Sequence, residues 1–153
     1  MGLYEKAVEY KGTRRTIDTM TKKELIKVLD REFSIYIRMN AANESGLVQC
    51  ITCRAWHIWN DGNLHNGHFI SRTEEIIRFN DINCNPQCAS CNSFKQGRHH
   101  LYRDRLIEIH GKEKVENLEQ LARVGGKVDE YWLREKIKEY RQKNKLLKKE
   151  KCL

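Results

Sequence analysis

Cys50-Ile51-Thr52-Cys53 and Cys88-Ala89-Ser90-Cys91 are the stretches that decide how this chain folds. Each is a C-x-x-C pair, which places two thiolates on one tight turn. Two such turns brought together offer the tetrahedral sulfur cage that Zn2+ prefers. Four sulfurs leave no open coordination position, so the expected Zn2+ is structural and stabilises a fold with few large apolar residues. The other readings of these residues are unrelated buried thiols or a redox pair. The two pairs stand further apart than the roughly 15–20 residues of a simple zinc ribbon, so something sizeable is inserted between them. Cys84 and Cys152 are left over, and Cys84 reads as a small buried side chain.

Paired cysteines used as metal ligands suit a reducing compartment. No run approaches the roughly 18 apolar residues of a membrane span, and Met1 to Arg15 is charged, without the apolar core of a signal peptide. A cytoplasmic protein with no membrane partner is expected. Its 153 residues suit one domain, or one domain with tails. The formal charge of +8 is unevenly spread. Residues 1–40 hold nine basic and six acidic groups, 41–100 five of each, 101–140 nine of each, and the final thirteen six basic groups against Glu150. The basic character sits in a leader and a tail. Such arms suit a polyanion, foremost nucleic acid, or else form a solvated helical end.

Thr21 followed by Glu24 is a capping box, and Leu25, Val28, Leu29 and Phe33 recur at helical spacing. The pattern predicts a helix from about Thr21 to Ala41, preceded by an arm over residues 1–20. Asn43 to Gly46 is turn chemistry. Short strands are expected on either side of the Asn60-Asp61-Gly62-Asn63 turn, with a further strand over Leu64 to Ile70. Helices follow, punctuated by Gly97, Gly111 and Gly125-Gly126: one ending at His110-Gly111, one over Lys112 to Arg123, and one from Asp129 to about Leu147. That last helix runs into lysines, and its outer turns are expected to be solvated. Tyr102, Leu106, Ile109, Val115, Leu118 and Leu121 supply apolar material for a core or for a homodimer interface.

Between and around the cysteines stand His65-Asn66-Gly67-His68-Phe69, Arg78-Phe79, Asn83 and Gln87-Cys88-Ala89-Ser90-Cys91-Asn92, followed by Gly97 and Tyr102-Arg103. This constellation, spanning roughly Val48 to Leu121, resembles the HNH, or ββα-metal, endonucleases. Within that group it resembles the phage NinG (Rap) recombination protein family, and the closing Cys-x-x-Cys-Asn also resembles the phage endonuclease VII family.

The resemblance implies a site for phosphodiester hydrolysis, which needs an activated water and a cation on the phosphate and leaving oxygen. His68 would be the general base. Asn92 would offer its amide oxygen to a catalytic Mg2+ or Mn2+, and Asn83 would orient His68 or brace the loop. HNH enzymes usually carry an acidic or histidine ligand just before the base, where this chain has Gly67. The second ligand is therefore open: His65 first, then Asp61 or Asn66, or His68 itself. His68 also reads as a histidine packed under the cysteines, and Asn83 and Asn92 as caps of turns or of a helix start. Arg72, Arg78, Lys95 and Arg98 are the nearest candidates for phosphate contacts.

The expected fold is thus α+β: a small zinc-stapled ββα-metal (HNH-like) core over residues 47–100, with an N-terminal arm and helix over 1–46 and a C-terminal helical segment with a basic tail over 101–153. The resemblance implies a metal-dependent, structure-selective endonuclease acting on branched DNA, such as Holliday junctions or D-loops, in phage recombination and hence in the host cytoplasm. The rival readings are a non-catalytic zinc module that binds nucleic acid or recruits a recombination partner, and a general HNH nuclease of restriction or packaging type.

Overall fold

The computed structural model describes residues 16–94 and 98–153. Most of the expected arm, together with Lys95 and Gly97, lies outside the described residues. Thr21 opens the first helix, α1 (Lys22–Ala41), as the sequence predicts. Its hydroxyl accepts the Glu24 amide at 3.4 Å, and the Glu24 carboxylate accepts the Thr21 amide at 2.9 Å. Two otherwise free amides of the first turn are satisfied in this way. Leu25, Leu29, Phe33 and Ile37 recur every fourth residue, so they form one buried ridge.

That ridge packs on Leu133, Ile137 and Tyr140 of the last helix, with Phe79 and Cys84 completing the cluster. The first and last thirds of the chain therefore share one core with the middle. We number the last helix α4 (Glu130–Glu150); Asp129 caps it by accepting the Trp132 amide at 2.7 Å. The helix runs three residues past the expected end, and Lys145, Lys148, Lys149 and Glu150 are exposed as the solvated outer turns predict, while one side turns back onto the fold. Leu147 and Leu153 pack on the cluster of Met39, Val48, Trp59 and Leu64. Lys151 Nζ donates to the carbonyls of Met39, Asn40 and Ala42 at 3.2, 2.8 and 2.7 Å. A cation on the carbonyls at the end of α1 satisfies groups the helix leaves unpaired and complements its dipole.

Four short strands form two antiparallel pairs. β1 (Leu47–Gln49) and β2 (Trp56–Ile58) flank the first cysteine pair, with Val48 opposite His57. β3 (Leu64–His68) pairs with β4 (Cys84–Cys88), Leu64 opposite Cys88 and His68 opposite Cys84. The strands on either side of the Asn60–Asn63 turn thus exist but belong to different sheets. β3 ends at His68, short of the expected Ile70, because Asn83 takes both main-chain groups of Ile70.

A helical turn, Ser90–Phe94, leads on towards α2 (His99–His110) and α3 (Lys112–Val124). Gly111 joins the two with φ 87°, a conformation that favours glycine. Tyr102, Leu106, Val115 and Leu118 pack on Phe69 and Ile77, so most of this apolar material is internal core, while Ile109 and Leu121 remain exposed. The result is a mixed α+β protein with two small sheets. Among the described residues no helix is long and apolar enough to cross a membrane.

Candidate metal centre and histidine site

The first cysteine turn is closed by main-chain bonds: the Cys50 amide donates to Ala55 at 2.9 Å and the Arg54 amide to Cys50 at 3.0 Å. β4 delivers Cys88, and the helical turn after it delivers Cys91. The four Sγ atoms lie within 4.8 Å of one another. Cys53 and Cys88 Sγ are 3.8 Å apart, which is the edge of a tetrahedron with Zn–S bonds of about 2.3 Å. Among the described residues no other group of three or more His, Cys, Asp or Glu side chains is placed to share an ion. This quartet can hold a metal such as zinc.

The thiols are unequal. Burial pushes Cys50 up, but the Thr52 hydroxyl, 3.2 Å from its sulfur, and nearby backbone amides outweigh it and bring Cys50 down to about 6. Burial pushes Cys88 up to about 12 and raises Cys53. One thiolate is pre-formed, and Cys53 and Cys88 hold protons that an incoming metal displaces.

His68 closes β3. Its Nε2 lies 3.0 Å from the main-chain oxygen of Arg78; a carbonyl only accepts, so Nε2 carries the proton and Nδ1 keeps a lone pair. The Arg72 Nε–H donates to that lone pair at 3.3 Å. Burial first, then the Arg72 charge, bring the imidazole down to about 4, so the ring is neutral at pH 7. Arg78 is gripped by Asp30 of α1, Nε to Oδ1 at 2.9 Å and Nη2 to Oδ2 at 2.5 Å. Its Nη1 donates to the Arg72 carbonyl at 3.0 Å. One guanidinium therefore ties together both residues that address His68, and sequence reasoning missed its anchor, Asp30.

His68 and Asn92 engage different partners. Asn92 Nδ2 donates to His65 Nδ1 at 3.1 Å, which brings the first-choice ligand pair together. His65 and His68 stand three residues apart on β3, so their side chains leave opposite faces. Asn66 shares the His68 face, and Asp61 accepts the Asn63 amide within its turn. Asn83 is fully buried and braces the loop over residues 69–83: it accepts the Ile70 amide at 2.8 Å and donates to Ile70 and Ile77 carbonyls at 3.1 and 3.2 Å. None of these bonds reaches His68. Gly67 has a spatial explanation, since a Cβ there would meet the buried Gln87 side chain, and its carbonyl accepts Tyr102 Oη at 2.9 Å.

Of the candidate phosphate contacts, Arg72 is exposed, Arg78 is committed to Asp30, and Arg98 Nη1 lies 4.0 Å from Cys91 Sγ. Fold and site together define a small α+β protein in which four cysteines able to hold a metal stand beside a histidine-bearing strand pair. The family model for the bacteriophage lambda NinG protein matches residues 5–150, and the chain belongs to that family. No curated protein and no solved structure gives a match.

Proposed function

We propose that this protein is a metal-dependent endonuclease that cuts branched DNA, of the Holliday-junction or D-loop type, in phage recombination. The geometry of His68 carries the reading: Nε2 is fixed on a main-chain carbonyl and Nδ1 faces an arginine, whose departure lifts one of the causes that hold the ring's basicity down. An incoming phosphodiester is a stronger acceptor for Arg72 than a neutral imidazole. Arg72 moving to the phosphate frees Nδ1 to take the proton of the attacking water.

The order β3, β4, helical turn supports a ββα reading of this region, with the cysteine quartet as its proposed staple. A hard cation such as Mg2+ or Mn2+ takes oxygen ligands and commonly needs only one or two from the protein, substrate phosphate and water supplying the others. With Nδ2 on His65, Asn92 keeps its amide oxygen for such a cation, but this pair stands on the face of β3 opposite His68, which weighs against a cation there serving the water that His68 activates. The bound cation supplies charge stabilisation on the phosphate and leaving oxygen. The rival is a non-catalytic zinc module that binds nucleic acid or recruits a partner, and the separation of His68 from the Asn92–His65 pair on opposite faces of β3 favours it.

Labelled four-way junction and linear duplex, each with Mg2+ or Mn2+, separate the readings. The nuclease cuts the junction in preference to the duplex, and His68→Ala loses at least ~100-fold in rate. Equal cutting by that variant, or none by the unaltered protein, ends the nuclease reading; tight junction binding without cutting establishes the rival.

A further inference from the structure

The outer side of α1 forms one wall of an open groove of about 420 Å3, lined by Lys22, Lys23, Ile26, Lys27 and Asp30, with Glu75 and Arg78 opposite. Two of its cations are neutralised where they stand: Lys22 Nζ lies 2.7 Å from Glu75, and Arg78 is held by Asp30. Lys23 and Lys27 are exposed and form no ion pair among the described residues. One helical turn separates them, about 6 Å along the axis. Arg78, at the end of the groove, donates to the Arg72 carbonyl, and the Arg72 side chain addresses His68, so the histidine lies two contacts beyond the groove lining. The groove's surplus charge is positive.

The basic tail is a poorer candidate than composition suggests. Within it Lys143 pairs with Glu139, Arg141 lies 3.6 Å from Glu32 and Lys151 is spent on the end of α1, so half of its six cations are engaged inside the fold, while Lys145, Lys148 and Lys149 are exposed.

We propose that this groove binds the sugar-phosphate backbone of a DNA strand, Lys23 and Lys27 contacting successive phosphates and the strand running past Arg78 to Arg72 and His68. Lysine ammonium groups grip phosphates as point charges and read no sequence. The direction of the path rests on the nuclease reading; the binding surface itself is testable without cleavage.

The experiment measures junction and duplex binding by fluorescence anisotropy over a salt series, without divalent cations, using the full chain. The variants are Lys23→Glu/Lys27→Glu, the milder Lys23→Gln/Lys27→Gln, and a charge-matched control on α4, Lys145→Glu/Lys149→Glu. Acidic groups near a helix N-terminus suit its dipole, so α1 is retained, as circular dichroism verifies. The expected result is at least a tenfold weaker Kd for the groove reversal, with a salt slope shallower by about two phosphate contacts. The glutamine pair shifts the same way by less, and the control stays within about twofold. Unchanged affinity, an unchanged slope, or an equal loss in the control overturns the proposal. Groove-dependent binding by a protein that never cuts supports the groove and ends only the nuclease reading.

Discussion

Asp30 and Arg78 join α1 to the loop beside His68 through a two-pronged ion pair, Nε to Oδ1 at 2.9 Å. Because Arg78 offers its carbonyl to His68 Nε2 and a donor to the Arg72 backbone, Asp30 acts on the histidine at one remove. Asp30→Asn is expected to cost about 1–3 kcal/mol and, on the nuclease reading, to slow junction cleavage about tenfold or more without weakening junction affinity, because it leaves Arg78 unneutralised in the groove. Nitrogen NMR of the imidazole tests the link: the Nε2–H form dominates in the unaltered protein and gives way to a tautomer mixture in Asp30→Asn. Lys22→Ala, which breaks the other α1-to-loop ion pair, should leave the tautomer in place.

The depressed His68 pKa makes stability depend on pH in a defined window. The unfolded chain protonates this histidine near 6.5 and the folded one near 4, so between these values the unfolded state binds more protons and stability rises with pH. The contribution is complete above about 6.5 and is lost as pH falls to about 4, with an upper limit of ~3 kcal/mol. Denaturant titrations of the protein and of His68→Gln at pH 7.5 and 4.5 should diverge by a sizeable part of that amount. Parallel curves would show that the ring is not held neutral.

Elemental analysis of the purified protein is expected to give one tightly bound zinc per chain. Stripping it with a strong chelator, or substituting Cys88→Ser, removes several kcal/mol of stabilisation. For a chain of this size that lowers the melting temperature by at least ~10 °C. Readdition of Zn2+ releases protons from Cys53 and Cys88 and restores the midpoint. Less than half an equivalent of zinc would return the quartet to the buried-thiol reading.

Asn83→Ala leaves the Ile70 amide and the Ile70 and Ile77 carbonyls without their partner inside the fold, at a cost of about 3 kcal/mol or more. If Asn83 serves the loop alone, Asn83→Asp, which keeps the acceptor and loses both donors, should fall between the two in stability. Cleavage then tracks the folded fraction. A variant that folds fully and does not cut would instead put Asn83 in the chemistry.

Local rules made part of this architecture readable from the chain. A capping box and an every-fourth apolar ridge state where α1 begins and which side it buries, and paired cysteines at x-x spacing state their own geometry. β4 was not readable because Asn85, Pro86 and Gln87 give no alternation of apolar and polar residues; the strand is defined by its pairing with β3, from Leu64 opposite Cys88 to His68 opposite Cys84. Asp30 carried no signal, since an aspartate on the polar side of a helix looks the same whether solvated or paired with a loop 48 residues away. Lys151 misled in the opposite sense: a lysine-rich end reads as solvated, yet its position beyond α4 places it on the last carbonyls of α1. Gly67 is legible as a close approach, but only the fold identifies Gln87 as the neighbour that a side chain there would meet.

The Lys151 contact spans 112 residues to Met39, and the whole α1 ridge is covered by the helix that ends beside it. During synthesis at roughly 5–20 residues per second, Leu25, Leu29, Phe33 and Ile37 leave the ribosome several seconds before their partners on α4 exist. The cysteine turns and the strand pair can form in that interval, but the first helix waits with its apolar side uncovered. Contacts of such separation are entropically late and slow. The nascent chain is therefore most exposed to aggregation and proteolysis just before α4 emerges, and rescue of poorly expressed variants belongs at that step.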